Sequence, residues 1–372
     1  MSEVKNIPER IFITRDSLCY PLSQRIMKNT RAIPHEVIDS PSMLMEELKR
    51  VKNPFVKGKS FLLLSTQRGG FVKPCPCTPF YIGCNYFIIN SELNCPLDCS
   101  YCVLQDYLST PLVTVHVNLE DLWKEMDAFL EKRKGRVFRI GTGELADSLA
   151  LDPITESSRD FISYFRGKKG VFFELKTKTA NIKHILNEKP ADNIIVSWSL
   201  NTPKMAEEHE SKAPPIAERI EAARQVSRRG FPVGFHFDPL IRYPGWQTDY
   251  QGVIKKLLRA VRPSGIAWIS LGSLRFPPGF QSIIKQRFSL SPIFHEEFIR
   301  GKDGKFRYFR PLRIKLYRRV VDFIKENGGK GIPLYLCMES GSVWREILGW
   351  RPRSKREVES SLLHRGNITL MR

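Results

Sequence analysis

No stretch of the 372-residue chain approaches the ~18 consecutive apolar residues that a membrane span needs. Its opening, Met1-Ser-Glu-Val-Lys-Asn-Ile-Pro-Glu-Arg10, holds no apolar core of the kind a secretory signal carries. Internal repeats and low-complexity tracts are missing too. Eight cysteines are few for a disulfide framework in a chain this long. A reducing cytoplasm is therefore the expected location, and the thiols stay available for metal. Acidic residues are also in deficit: 39 Asp+Glu stand against 59 Lys+Arg, a net charge of +20. About half of that excess falls between Gly301 and Arg372, where 17 basic residues face 7 acidic ones. Polyanions are the partners such a balance favours.

What the chain does have is a dense cysteine run, Cys95-Pro-Leu-Asp-Cys99-Ser-Tyr101-Cys102. Three thiolates in eight residues can hold three corners of an iron–sulfur cube, which normally takes four. One iron is then left open for a reactive ligand. A zinc knot would want a fourth Cys or His at its own close spacing. No His lies between Cys84 and His116, and Cys84 is eleven residues upstream. The spacing, with Tyr101 before the last cysteine, resembles the signature of radical S-adenosylmethionine enzymes. That resemblance makes Cys95, Cys99 and Cys102 the expected ligands of a [4Fe–4S] cluster, and Tyr101 a candidate catalytic residue.

Strand and helix patterns alternate from Cys84 onward. Candidate strands are Asn85–Asn90, Arg136–Ile140, Val171–Lys176, Ile194–Leu200, Pro232–Asp238, Ile266–Leu271 and Pro333–Cys337. Helical runs fall between them, near Leu119–Arg133, Ile154–Phe165, Asn181–Asn187, Ile216–Arg229, Asp249–Val261 and Leu312–Asn327. About six βα units predict an α/β fold, an incomplete parallel (βα)6-type barrel with its chemistry at the strand C-terminal ends. Residues 1–80 read as a small N-terminal α/β cap, 81–345 as the partial barrel, and 346–372 as a basic C-terminal tail.

The strand ends supply candidates. Gly141-Thr142-Gly143-Glu144 follows the second barrel strand, where glycines admit a ligand and the carboxylate can accept from an ammonium group. An ordinary glycine turn with a helix-capping acid is the plainer reading of those four residues. Lys178 closes the third strand and can meet a carboxylate; Ser199 and Asn201 close the fourth and can meet a ribose. His236 sits in an alternating strand, where a satisfied, half-buried histidine is the ordinary case, and Asp238 and Arg242 lie just past it. Between Arg275 and Arg319, cations interleave with aromatics, as in surfaces that hold phosphates and stack bases. Arg242, Arg275, Arg287, Arg307, Tyr308 and Arg310 are the nucleic-acid candidates.

Taken together the chain resembles the spore photoproduct lyase family of radical S-adenosylmethionine DNA-repair enzymes. The likeness is carried by the cysteine run with Val103-Leu-Gln105, by Val115-His-Val-Asn118-Leu-Glu-Asp121 and by Thr177-Lys178. Ser199-Leu-Asn201, Gly234-Phe-His-Phe-Asp-Pro239, Gly245-Trp246, Leu274-Arg275-Phe276 and Ile284-Lys-Gln-Arg287-Phe288 continue it, as does Tyr20-Pro21-Leu22. The resemblance implies a [4Fe–4S] cluster, S-adenosylmethionine, a DNA duplex carrying a thymine lesion, and a reductant such as flavodoxin or ferredoxin. It also implies that a deoxyadenosyl radical opens the lesion and a thiol quenches the product. The chain departs from its relatives at that last step. Gly141 aligns with the family's donor cysteine, and Val103 with a relay tyrosine. Cys337, at the end of the last predicted strand, is the replacement donor expected here, while Cys75, Cys77 and Cys84 are buried thiols, spare donors or ligands of a second metal. Another nucleotide, RNA or small-molecule substrate for the same radical chemistry, or a non-catalytic metal-stabilised nucleic-acid-binding protein, are the competing readings.

Overall fold

The computed structural model describes residues 7–288 and 292–365, leaving aside the side chains of His364 and Arg365. Its largest sheet holds seven parallel strands in chain order: Phe87–Ile89, Phe138–Thr142, Val171–Thr177, Ile194–Ser199, Val233–Leu240, Ile266–Ser273 and Leu334–Leu336. Val72–Pro74 adds an antiparallel strand at the first edge. Among the described residues the two edges do not pair as strands, so the barrel is incomplete, as expected. An isolated antiparallel bridge spans the seam, where the Ile82 N–H donates to the Glu339 carbonyl at 2.9 Å.

Local chemistry explains the elements. Helix Ile216–Arg229 buries Ile216, Ile220, Ala223 and Val226, spaced three and four apart on one face. It ends at Gly230, whose φ of +106° suits only a residue without a Cβ. The run expected to be one helix over 154–165 is two, Asp152–Thr155 and Ser157–Phe165. They are divided at Glu156, which adopts a left-handed φ of +52°.

The N-terminal sheet crosses the boundary expected at residue 80. Its strand order is His35–Ile38, Arg10–Thr14, Phe61–Ser65, Val113–His116, Glu92–Leu93, so two of five strands come from beyond that point. The excursion that carries the cysteine run leaves the first barrel strand, pairs into this second sheet, and returns through helix Leu119–Glu131. The stretch read as a basic C-terminal tail is packed onto the barrel as far as it is described. Helix Lys355–Arg365 buries Val358, Leu362 and Leu363, and its Glu359 accepts from the Asn85 side chain at 2.8 Å. Residues 366–372 of that stretch lie outside the described residues. Among the described residues no helix is long and apolar enough to cross a membrane. A three-stranded antiparallel sheet goes beyond the expected elements: Arg275–Phe276, Phe306–Tyr308 and Phe298–Arg300 fold over the barrel mouth around packed phenylalanines.

Candidate active site

Side chains alternate across a strand, so every second residue of a barrel strand points inward. Here that rule brings polar groups inside: Arg139, Glu174, Ser197, His236 and Ser270 are all buried. Above them, at the strand C-terminal ends, lies a cavity of about 370 Å³. The cysteine loop forms one of its walls and the sheet seam the other.

The cysteine loop is braced along its length. Asn94 and Asp98 adopt left-handed φ values of 65° and 51°, which bend the chain tightly around Cys95. Asp98 pairs with Arg287 at 2.8 Å and with Lys59 at 3.2 Å, and Lys59 also donates to the Cys95 carbonyl at 2.8 Å. The Gln105 amide donates to the carbonyls of Cys99, Ser100 and Cys102. Tyr101 donates to Glu210, which is fully buried and also takes Lys178 at 2.9 Å and Arg219 at 2.6 Å. Ser100 Oγ lies 2.9 Å from His209 Nδ1.

Cys95, Cys99 and Cys102 all line the cavity. Burial pushes the Cys95 thiol well above its usual range and that of Cys99 up to about 12. Metal must therefore displace their protons as it binds. Among the described residues no three His, Cys, Asp or Glu side chains converge on one ion position. A zinc knot gathers its ligands on one ion, whereas a cube spreads three thiolates over three irons. The braced, cavity-lining run fits the second demand.

The expected cofactor residues separate into two groups. Gly143, Glu144, Lys178 and Ser199 line the cavity. The Glu144 carboxylate accepts from Lys176 on the third strand. Gly141 and Thr142 lie within the second barrel strand and do not line the cavity, with Thr142 bonded to Ser148 at 2.7 Å. Asn201 also turns away: its amide donates to the Pro239 carbonyl, and its oxygen accepts from Tyr250 at 2.8 Å. It holds the fourth strand's end in place. Lys178 is tied to Glu210 and to the Tyr101 hydroxyl at 3.2 Å, so it braces the cysteine loop as well as facing the cavity.

Cys337 lies on the opposite wall. Arg275 donates to its sulfur at 3.5 Å while holding Asp238 in two bonds of 3.0 and 3.1 Å. Burial raises the Cys337 thiol, and the Arg275 charge holds the Asp238 carboxyl below its usual range. Gly272 makes this possible, because a Cβ there would sit 2.5 Å from the Asp238 carboxylate. Cys75 and Cys84 share the cavity, whereas the Cys77 thiol donates to the Thr78 and Tyr81 carbonyls and stays off it.

Of the groups beneath, sequence reasoning singles out His236, as an ordinary satisfied histidine, which its bond to Glu174 makes it, and passes over Glu174, Arg139 and Trp268. Glu174 accepts from Ser197 at 2.5 Å, Trp268 at 3.0 Å and His236 at 2.9 Å, with Arg139 3.6 Å away. Burial alone would raise its carboxyl, but these partners, His236 first, hold it far below the usual range. The signal was legible in the alternation of Glu174 and Lys176 within Val-Phe-Phe-Glu-Leu-Lys-Thr, and of Arg139 and Gly141 within Phe-Arg-Ile-Gly-Thr.

The expected nucleic-acid contacts need correction. Arg307 and Tyr308 are buried; Arg307 pairs with Asp303 at 2.5 Å, and the Tyr308 hydroxyl accepts the Arg242 backbone N–H. Arg287 is spent on Asp98 and Arg275 on Asp238. Arg242 is half-buried, 3.9 Å from Glu296. Only Arg310 of the six is well exposed, and it shares Glu346 with Arg318. With Lys315, Arg319 and Trp246 these two arginines line an outer groove.

Comparison with known proteins adds the following. The family model for spore photoproduct lyase matches residues 6–312. Spore photoproduct lyase of Clostridium acetobutylicum is 23% identical over 256 residues, 68% of this chain and 74% of that protein. The Bacillus subtilis enzyme of the same name is 25% identical over 260 residues, 68% of this chain and 73% of its own length. A solved spore photoproduct lyase complexed with dinucleoside spore photoproduct superposes with a TM-score of 0.76, at 20% identity, over 89% of this chain and 99% of that one. A mutant of it with bound AdoMet and the same dinucleoside gives 0.75 at 20% identity, over 90% and 99%. These superpositions carry the fold.

Proposed function

The chain belongs to the spore photoproduct lyase family, and on that footing we propose that it is a radical S-adenosylmethionine lyase. Its substrate is the UV-induced thymine dimer that names the family, held in DNA and opened by cleavage of the linking C–C bond. The observation that carries this reading is the shared cavity, with the braced thiols of Cys95, Cys99 and Cys102 on one wall and the Cys337 thiol on the other.

Cys95, Cys99 and Cys102 would hold a [4Fe–4S] cluster, and Gly143, Glu144 and Ser199 the methionine end and ribose of S-adenosylmethionine. Together those groups supply, when bound, a 5′-deoxyadenosyl radical. The chain's own residues do the rest. Glu144 offers its carboxylate to an ammonium group, with Lys176 exchanging that contact when the ligand enters. Tyr101, Glu210 and Lys178 keep the cysteine loop pressed against the third and fourth strands, so the wall does not drift. Asp238 and Arg275 keep Cys337 facing the cavity, where its S–H can give a hydrogen atom to a carbon radical. Gly141 has no side chain to give. Exposed cations at the barrel's outer groove hold the duplex, and a flipped lesion enters the cavity. A small electron-transfer protein such as flavodoxin or ferredoxin is the implied reductant.

The direct test is anaerobic reconstitution with iron and sulfide, followed by S-adenosylmethionine cleavage with and without an oligonucleotide carrying the lesion. Lesion-dependent cleavage that restores two adjacent, unlinked thymines within the strand is expected. Cofactor cleavage that leaves the lesion intact would assign the chain another substrate.

A further inference from the structure

The floor of the cavity holds polar atoms that no protein group satisfies. Among the described residues, the Tyr86 hydroxyl and two nitrogens of Arg139, Nε and Nη1, are buried without hydrogen-bond partners. Both side chains line the cavity and both are at least nine-tenths buried. Leaving such groups unpaired costs stability, so native proteins rarely keep them without a use.

Gly141 creates the room for one of them. A Cβ at that position would collide with the Tyr86 hydroxyl and the Glu174 carbonyl, so the missing side chain is what lets the hydroxyl stand there. Arg139, two residues earlier on the same inward face, is held flat by aromatic rings. Its guanidinium lies 4.0 Å from the Trp268 ring centre, 5.2 Å from Tyr86 and 5.3 Å from Tyr335. Burial and the nearby Glu174 carboxylate, which the hydroxyl approaches without a well-formed hydrogen bond, keep Tyr86 protonated. Glu174 itself is already engaged by Ser197, Trp268, His236 and Arg139. The floor therefore presents donors and has no spare carboxylate to accept with.

We propose that Tyr86 and Arg139 read the lesion, donating to the carbonyl oxygens of a thymine ring that reaches the cavity floor. The inference rests on the lesion-repair reading above and adds its specificity. A thymine edge offers carbonyl acceptors, whereas the amino group of cytosine or adenine would meet a donor with a donor and leave both unpaired.

Tyr86→Phe tests this without removing the ring that packs on Arg139. The readouts are thermal stability, S-adenosylmethionine affinity, and binding of the dinucleoside spore photoproduct to the anaerobically reconstituted protein. Losing an unpaired buried hydroxyl should leave thermal stability equal or higher. Cofactor affinity should hold, and affinity for the dinucleoside should fall about tenfold, the loss of one hydrogen bond in a site built for it. Unchanged dinucleoside affinity would overturn the inference and leave the repair reading standing. A drop in thermal stability would also overturn it, by showing that the hydroxyl serves the protein. A wild-type chain that binds cofactor but no dinucleoside would sink the repair reading, and this inference with it.

Discussion

The two walls of the cavity are built on opposite principles. The cysteine wall is one continuous segment, and its backbone is pinned by Asp98, Lys59, Arg287, Gln105 and Glu210. Its thiols, Asp98 and Tyr101 come from eight consecutive residues. The seam wall is assembled from distant strands: Cys75, Cys84 and Tyr86 from one edge, Cys337 and Tyr335 from the other, and Arg275 from the small mouth sheet. Among the described residues it also keeps an unpaired hydroxyl, that of Tyr86. Rigidity suits the radical-generating role proposed for the cysteine wall, because the reacting atoms must be placed to a fraction of an ångström. Unsatisfied polar groups suit a wall that receives a variable ligand. On the function proposed above, Gly141 and Val103 bear on the steps after radical generation, and Cys95, Cys99 and Cys102 on the radical's formation.

Iron content gives the largest test of that division. Replacing Cys95, Cys99 and Cys102 by alanine should abolish cluster iron and visible absorbance after anaerobic reconstitution. Replacing Cys75, Cys84 and Cys337 together should leave both near wild type. Substantial iron loss in the second triple variant would make the seam wall a metal site too, and the comparison would fail.

Next comes product identity. Cys337→Ala should leave cofactor cleavage intact while most of the repaired thymine gives way to adducts of an unquenched radical, read by mass spectrometry. Clean repair by that variant would move the hydrogen donor to Cys75, Cys84 or an external thiol. The same measurement on Arg275→Lys asks whether the guanidinium fixes the thiol's direction, because lysine keeps the charge and loses the fork that spans Asp238 and the sulfur.

A smaller effect is expected at Glu144. Glu144→Ala removes a charged acceptor and should weaken S-adenosylmethionine binding by about 2 kcal/mol, roughly thirtyfold, with cluster iron unchanged. Equal affinity in calorimetry would reduce the Gly143-Glu144 turn to a partner for Lys176.

Much of this was readable from residues in order. The cysteine wall is local, so spacing alone revealed it, and the parallel barrel followed from alternating strand and helix patterns. Helix Ile216–Arg229 was placed to the residue because its apolar stripe and Gly230 agree. The seam wall was mostly illegible. Strand alternation marks Arg139 and Glu174 as inward-facing, but neither they nor Tyr86 carry a motif; they become a site only when strands far apart in sequence close into a curved sheet. Charge misled for a related reason. Arg287, Arg307 and Arg275 look like phosphate contacts in sequence; the partner of Arg307, Asp303, is local, but Asp98 and Asp238 are brought to Arg287 and Arg275 by folding. Pairing two of them required residues 189 and 37 positions away.

The smallest effect extends the comparison to the outside of the barrel. Arg275, Arg287 and Arg307 are paired with carboxylates inside the protein, so the duplex binding proposed above falls to exposed cations. Arg310 and Arg318 have about half their side-chain surface open, beside Lys315 and Arg319 in one groove. Neutralising one phosphate-binding cation should lower the slope of log affinity against log salt by about 0.9 for a duplex. Arg310→Gln with Lys315→Gln should therefore flatten that slope by about 2 and weaken binding only a few-fold near physiological salt. Lys124→Gln, on the exposed face of helix Leu119–Glu131, serves as the control with no change expected. The measurement is fluorescence anisotropy on a duplex across a salt series. An unaltered slope in the double variant would take the groove out of DNA binding. A slope changed equally by Lys124→Gln would show that net charge alone, and no particular surface, holds the duplex.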